Sequence, residues 1–236
     1  MAMSKKPSSH SLQSVLLALA FSTTFGTSTN ALSAEKQAVA IAIHGGAGTI
    51  RQELMSPEIE AEYRAILTKA ILAGHSILTT GGSSRDAVIA AISMMEDSPL
   101  FNAGYGAVFN HEGNIELDAS IMEGRSLNAG AVASLTRIKS PITLANAVLN
   151  HSPHVMLVGP GAEIFAQQQG IDLVSNDTFK TEHRRLQLER IIAQEQSVAR
   201  LPELSNPVLL KYQFDEKKLG TVGAVAIDQA GDIAAG

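Results

Sequence analysis

Thr221 stands where a charged segment meets an apolar run, in the stretch "KKLGTVGAVAID" from Lys217 to Asp228. A threonine hydroxyl is a weak nucleophile unless a base lies beside it. A threonine at a new amino terminus carries its own base, because a free α-amino group has an ordinary pKa of roughly 7.7–8.0. Cleavage of the Gly220–Thr221 bond would create such a residue, and the Thr221 hydroxyl itself would attack the Gly220 carbonyl. On these two residues alone, a glycine turn followed by an ordinary β-branched strand residue is the simpler interpretation.

Other groups with chemical potential give weaker signals. The "HGGAG" segment is similar to a phosphate-binding loop but lacks the spacing of known phosphate motifs, so close packing beside the nucleophile is the favoured role. Glu116 and Asp118 alternate and would fit a catalytic carboxylate pair, but a single buried, hydrogen-bonded Asp118 is preferred. The seven histidines are scattered without the spacing of metal ligands, which predicts no transition-metal site.

Composition restricts the class of protein. The chain has 236 residues, of which 45% are hydrophobic, and a net charge of −5. These values are typical of one soluble globular domain with a buried core. Basic residues form no stripe, which argues against nucleic acid as a partner. Cysteine is absent from the sequence, and this excludes disulfides, thiolate catalysis and zinc–sulfur sites.

The first 34 residues have the layout of a secretory signal peptide. Two lysines (Lys5 and Lys6) precede the apolar run Val15 to Phe21, and small residues follow up to "ALSA" at Ala31 to Ala34. The apolar run is too short to span a bilayer. We therefore expect a periplasmic or secreted protein that is free of the membrane once the leader is removed. A disordered or mitochondrial-type leader is the alternative, and the protein would be cytoplasmic if the segment is not a signal.

Hydrophobic periodicity predicts a chain of mixed helices and strands. Helices are predicted in the stretches "SPEIEAEYRAILTKAILAGHSILTTGG", "SSRDAVIAAISMMED", "PITLANAVLNH", "GAEIFAQQQG" and "TFKTEHRRLQLERIIAQEQSVAR". Ser83 or Ser84 is the expected N-cap of the second, and Leu186, Leu188, Ile191 and Ile192 are the expected apolar stripe of the last. Strands are predicted in "AVAIAIHGGAG", "IELDASIM", "AGAVASL" and "HVMLVG", with a hairpin formed by "TVGAVAID" and "DIAAG". Residues 201–220 are predicted to be a poorly ordered connector.

Seven motifs in series resemble plant-type asparaginases, also called isoaspartyl peptidases, which are amidohydrolases with an N-terminal nucleophile. They are "AIHGGAG", "SSRDAV", "EDSPLFNAGYGAVFN", "ELDASIM", "AGAVASL", "SPHVMLVGPGA" and "LGTVGAVAID". They follow the family's order and extend over Val39 to Gly236. The resemblance implies an α/β (α+β) fold, a four-layer αββα sandwich with two sheets between outer helices. The family usually assembles as a dimer of αβ units.

The same resemblance implies roles for individual residues. The precursor would cut itself between Gly220 and Thr221, giving an α-subunit region of residues 35–220 and a β-subunit that begins with residues 221–236. Thr221 would then hydrolyse the side-chain amide of L-asparagine or the β-linked bond of an isoaspartyl dipeptide. Asn102 is similar to the residue that holds the nucleophile region in place. Gly220 before the nucleophile favours this branch over glycosylasparaginase and threonine aspartase, which tend to carry aspartate there.

The family's "EDSPLFNAGYG"-type loop also implies a structural sodium ion held by backbone carbonyls, while catalysis needs no cofactor. The corresponding carbonyls belong to Met95, Glu96, Ser98, Phe101, Ala103 and Tyr105. A glycine-rich connection without an ion is the alternative interpretation of this loop.

The sequence departs from the family pattern at its end. The family's oxyanion-hole donors, and its Arg and Asp that bind the substrate's α-carboxylate and α-amine, are expected beyond Gly236. We therefore expect a truncated precursor with little or no activity alone, an incomplete sandwich, and a hairpin that leaves a bare strand edge. The alternative is a catalytically dead, α-subunit-like chain that assembles with a separate β-subunit.

Overall fold

A computed structural model describes residues 37–46, 56–199 and 220–236 of the protein. The predicted signal peptide (residues 1–34) lies outside the described residues, and so does the predicted connector apart from Gly220. Within the described ranges the chain has the mixed α/β class expected from its sequence, with one six-stranded sheet flanked by helices.

Five α-helices are present in the described ranges, at the places where the apolar periodicity predicts them. Their bounds are α1 Pro57–Thr79, α2 Ser84–Glu96, α3 Pro141–His151, α4 Gly159–Gln168 and α5 Glu182–Ala199. Ser83 is the N-cap of α2, and its hydroxyl accepts a hydrogen bond from the Asp86 amide at 3.1 Å. None of the helices in these ranges has the length and apolar character needed to cross a membrane.

The strands form a single sheet in the order β1-β5-β6-β2-β3-β4. Their bounds are β1 Ala40–His44, β2 Leu117–Glu123, β3 Ala129–Leu135, β4 Met156–Val158, β5 Gly223–Ile227 and β6 Ile233–Ala235. All neighbouring pairs are antiparallel except β3 with β4. In β3, a side chain on Gly130 would meet the Ala145 carbonyl at 2.1 Å, so glycine allows α3 to pack directly on the strand.

The β5–β6 hairpin is confirmed, but the expectation that it leaves a bare strand edge is wrong. Strand β5 pairs with β1 on one side and β6 pairs with β2 on the other, so the hairpin fills the middle of the sheet. The edge strands are β1 and β4. The physical reason is that both neighbours come from segments far earlier in the chain, and a local apolar pattern carries no information about distant partners.

The two faces of the sheet differ in burial. Strand β5 shows this alternation, because Ala224 and Ala226 are buried towards the helices whereas Val225 is exposed. Cross-strand pairing places a set of large apolar side chains on the same side as Val225. This set, which we call the open face, has exposed fractions of 44–53% and consists of Met122, Met156, Val158, Val225 and Ile233.

The open face bears on the expected four-layer architecture. A sandwich of two sheets needs an apolar sheet surface to which the second sheet can pack. The described residues contain one sheet, and its helix-free face is apolar across four strands. The architecture of this sheet is therefore suited to a second layer on the open face.

Helix α5 departs from its predicted packing. Leu186, which we assigned to the apolar stripe, is 42% exposed, whereas Arg184 is only 7% exposed. Arg184 is held inside because its Nε donates a hydrogen bond to the Gly106 carbonyl at 2.8 Å. The periodicity predicted the helix and three partly buried residues of the stripe, Leu188, Ile191 and Ile192. It did not predict the burial of Arg184, since a long arginine can bury its stem and satisfy its head on a backbone oxygen.

Candidate active site

Thr221 is exposed, lies two residues before β5 begins, and forms part of the wall of a cavity of about 780 Å³. We call this space the threonine cavity. Its other lining residues include Glu96 from the end of α2, Asn102 from the loop after α2, and Asp118 and Ser120 from β2. The nucleophile candidate is therefore accessible at the head of a central strand and is not packed inside the sheet.

Gly220, the residue before Thr221, lines a different cavity. Gly220 lines a second cavity of about 450 Å³, which we call the glycine cavity. Gly45 and Gly46 of the "HGGAG" segment line this second cavity too, and Asn102 lines both cavities. The Gly220–Thr221 peptide bond thus lies at the boundary between two open spaces.

Asn102 is fixed at this boundary by its side-chain oxygen. Its Oδ1 accepts a hydrogen bond from the Val108 amide at 3.0 Å. Its side-chain nitrogen makes no hydrogen bond with another described residue, so two N–H donors remain available towards the cavities. The structure brings the two sequence-predicted catalytic residues, Thr221 and Asn102, to the wall of one cavity.

The loop from Met95 to Tyr105, in which the sequence analysis placed a sodium ion, closes on itself. Gly104 has a φ of +49°, and a side chain there would lie 2.3 Å from the Glu96 carbonyl oxygen. Only glycine permits this close approach at a positive φ. The two ends of the loop are therefore in contact, as a ring of carbonyls around one ion would require.

The carbonyls of this loop are partly available. Those of Met95 and Ala103 accept hydrogen bonds from the amides of Ser98 (3.2 Å) and Gly106 (3.0 Å). The remaining predicted ligands accept no hydrogen bond from a described residue, and they are the carbonyls of Glu96, Ser98, Phe101 and Tyr105. Side-chain metal clusters of three or more His, Cys, Asp or Glu residues are absent from the described ranges. Four backbone oxygens of the loop are therefore available as ligands of a hard cation, which prefers oxygen.

The side chain of Glu96 has a role that the sequence analysis missed. Its carboxylate is buried and accepts hydrogen bonds from the Ser140 hydroxyl (2.6 Å) and the Ile142 amide (3.0 Å). It therefore caps the amino terminus of α3 from another helix. Burial raises the pKa of Glu96 to about 7, although both hydrogen bonds act against this rise. No local signal reveals this role, because a glutamate at the end of an amphipathic helix usually faces solvent.

Asp118 is hydrogen-bonded as predicted, but it is exposed and not buried. Its Oδ1 accepts a hydrogen bond from the Ser134 amide at 2.8 Å. Ser134 has a φ of 52° and lies at a bulge, where the register between β2 and β3 shifts. Asp118 therefore stabilises an irregular backbone beside the threonine cavity, where β-bulges commonly redirect side chains.

Asp228 anchors the hairpin that carries Thr221. This buried carboxylate accepts hydrogen bonds at 3.0 Å from the amides of Ser84, Ala230 and Asp232. Burial acts to raise the pKa of Asp228, but the three amide donors outweigh it and the pKa is lowered. The first turn of α2 and the hairpin turn are thus joined through one side chain.

We expect Asp228→Ala to destabilise the protein by about 2–3 kcal/mol at pH 7, because three amides lose a charged acceptor. The folded pKa is lowered, so this contribution is present above the unfolded pKa of about 3.9 and disappears as pH falls through the folded value. The measurement is urea unfolding at pH 7 and pH 3.

The matched control is Asp232→Ala, which removes a half-exposed carboxylate paired with Arg125. We expect it to cost less than about 1 kcal/mol. Equal losses for both variants, or a difference that grows at acidic pH, would contradict the anchoring role of Asp228.

Known proteins are similar to this chain over most of its length. Residues 37–236 match the family model described as "Asparaginase". The chain is 44% identical to an isoaspartyl peptidase of Salmonella typhimurium over 195 residues, which cover 83% of this chain and 60% of the relative. It is 43% identical to the isoaspartyl peptidase of Escherichia coli, with coverage of 83% and 59%.

A third relative is the plant-type L-asparaginase of Pyrococcus furiosus, which is 40% identical over 190 residues, 80% of this chain and 60% of the relative. The chain spans about three fifths of the length of these curated relatives. The family match extends over most of the chain and includes every residue of both cavities. The chain therefore belongs to the asparaginase family.

Proposed function

We propose that this protein is a self-cleaving amidohydrolase precursor whose mature nucleophile is the hydroxyl of Thr221. Its substrates are L-asparagine and β-aspartyl (isoaspartyl) dipeptides, as the names of its relatives suggest. One observation carries the proposal: Thr221 is exposed on a cavity wall, and the peptide bond before it lies between two open spaces.

Self-cleavage would begin at the Gly220–Thr221 bond. The Thr221 hydroxyl attacks the Gly220 carbonyl carbon, the C–N bond breaks, and the departing nitrogen takes the hydroxyl proton. The resulting ester joins Gly220 to the Thr221 side chain. Water then hydrolyses the ester, which leaves a carboxylate on Gly220 and restores the Thr221 hydroxyl beside a free amine.

The freed amine makes the second reaction possible. Near neutral pH it accepts the hydroxyl proton as Thr221 attacks the side-chain carbonyl of the substrate. Ammonia or an amino acid departs, and water hydrolyses the β-aspartyl ester to release aspartate. This chemistry needs no cofactor. A structural sodium ion fits the carbonyls of the Met95–Tyr105 loop, where it would hold the Asn102 segment rigid.

The direct test is the mass of the full chain after purification. Self-cleavage predicts two fragments, one ending at Gly220 and one beginning at Thr221. Ammonia release from L-asparagine, and amino-acid release from a β-aspartyl dipeptide, are then assayed on the cleaved protein and on a Thr221→Ala variant. An intact chain, or turnover that does not depend on Thr221, would overturn the proposal.

We expect Asn102→Ala to slow self-cleavage by about 100-fold, because small displacements of a reacting group can cost that much. Asn102→Asp keeps an oxygen that can accept from the Val108 amide, so we expect a smaller loss. The measurement is the rate of fragment formation. Equal rates in the Asn102→Ala variant and the unmodified protein would show that Asn102 takes no part in self-cleavage.

A second candidate function is that of a catalytically inactive assembly partner for a separate β-subunit. The open face favours it, because Met122, Met156, Val158, Val225 and Ile233 form an apolar surface that a second sheet would cover. An intact chain that co-purifies with a separate β-subunit-like protein would support this function over the first. The dimer of αβ units and the periplasmic or secreted location stay predictions.

A further inference from the structure

The charged side chains that line the glycine cavity, among the described residues, are all basic. Three basic side chains of α5 line it, those of His183, Arg184 and Arg190, and no carboxylate lines it among the described residues. The pKa of His183 is lowered by burial and then by the two arginines, which is the effect of a positive local potential. A space of this kind favours an anion.

Arg184 is the central group of this site. It is 7% exposed, yet its hydrogen-bond partners among the described residues are neutral: Nε donates to the Gly106 carbonyl at 2.8 Å and Nη1 donates to Gln187 Oε1 at 2.9 Å. Burial lowers the pKa of Arg184. A buried guanidinium without a carboxylate is unusual, because an uncompensated buried charge is unfavourable.

Arginines of α5 differ in whether they have a carboxylate partner among the described residues. Arg185 pairs with Glu182 and Glu189 on the outer side of α5. Arg190, which lines the cavity, has one hydrogen-bond acceptor among the described residues, the Leu186 carbonyl at 3.1 Å. Helix α5 therefore has carboxylates, but they lie away from the cavity, and the two cavity-facing arginines form no salt bridge with a described residue.

We propose that the glycine cavity is a carboxylate-binding site and that its ligand is the α-carboxylate created at Gly220 when the Gly220–Thr221 bond is hydrolysed. The proposal rests on the proposed function. Before cleavage, Gly220 presents a neutral peptide carbonyl at this cavity. Hydrolysis consumes one water molecule, leaves the anion on Gly220 and returns the hydroxyl and amine to Thr221.

The new charge appears on a residue that already lines the cavity, so little chain movement is needed to reach the guanidinium groups. Hydrogen bonds between guanidinium and carboxylate are stronger than those to a neutral carbonyl. The interaction therefore forms only after cleavage. It holds the cut end on the far side of the boundary from the threonine cavity, which leaves Thr221 open to a substrate.

The first experiment tests the site without cleavage. The full chain with Thr221→Ala is titrated with N-acetylglycine, which mimics a peptide carboxy terminus, and the Arg184 Nε–H resonance is followed by NMR. We expect a saturable shift, and about tenfold weaker affinity when Arg190→Gln is added. Arg185→Gln is the matched control and leaves the affinity unchanged. No saturation, or equal weakening by both substitutions, overturns the site.

The second experiment tests the ligand. The self-cleaved protein is treated with a broad-specificity carboxypeptidase, and loss of Gly220 is followed by mass spectrometry. We expect trimming at least about tenfold faster in Arg190→Gln than in the unmodified protein or in Arg185→Gln. Equal trimming rates overturn Gly220 as the ligand.

The two failures are distinguishable. If the chain stays intact, the proposed function fails and so does the assignment of Gly220, whereas the N-acetylglycine titration still decides whether the cavity binds a carboxylate. If the chain is cleaved and its end is not protected, the proposed function stands and this inference is wrong.

Discussion

We expect Thr221→Ala to leave the chain as one polypeptide, with at least about 1000-fold slower self-cleavage, and to remove any asparagine hydrolysis that the cleaved protein carries out under the proposed function. The substitution removes the hydroxyl oxygen that, in the proposed mechanism, attacks both the Gly220 carbonyl and the substrate. It leaves the backbone at the head of β5 free to fold, because the Thr221 side chain is exposed. Thr221→Ser keeps a hydroxyl at the same place, and we expect it to cleave more slowly but to completion.

The control for this experiment is another hydroxyl in the same space. Ser120 is exposed on β2 and lines the threonine cavity. Ser120→Ala should leave the masses of the two fragments and their rate of formation unchanged. Cleavage of the Thr221→Ala chain at the normal rate would show that another group attacks Gly220. Loss of cleavage in Ser120→Ala would show that the assignment to Thr221 is incomplete.

Local structure could be predicted well from the sequence, and long-range structure could not. Helix periodicity and turn residues predicted all five helices and the β5–β6 hairpin, because these depend on neighbours in the chain. The position of the hairpin in the middle of the sheet depends on β1 and β2. The contact that locks it, from Asp228 to the Ser84 amide, joins residues 144 apart. Nothing near Asp228 in sequence distinguishes it from an ordinary turn aspartate.

The candidate site could be predicted only in part. Thr221 and Asn102 were identified by their motifs, and the structure places both on one cavity. The buried side chains of Glu96 and Arg184 were missed. Each is a charged side chain of a type that is usually exposed to solvent, and each is buried because a distant backbone group satisfies it. The exposure of Asp118 was mispredicted, because the alternation along β2 does not show which side of the strand is exposed.

The largest stability effect is expected from the two faces of β5. Ala226 is 2% exposed and faces the helices, whereas its neighbour Val225 is 44% exposed on the open face. We expect Ala226→Asp to destabilise the protein by about 3–5 kcal/mol at pH 7, because it buries an unpaired carboxylate. We expect Val225→Asp to cost within about 1 kcal/mol, since its charge remains hydrated.

Urea unfolding measures both variants, and pH separates the causes. The pKa of a buried, unpaired Asp is raised in the folded state, so the protein with Ala226→Asp is more stable below the unfolded pKa of about 3.9 and loses that stability as pH rises through the folded value. Val225→Asp should show no comparable change. If Val225→Asp lowered the free energy of unfolding as much as Ala226→Asp, the open face would be covered in solution. The surface that the described sheet leaves exposed would then be part of a packed interface. That outcome would favour the assembly function, because a second layer of chain would then be needed to bury Met122, Met156 and Ile233 beside it.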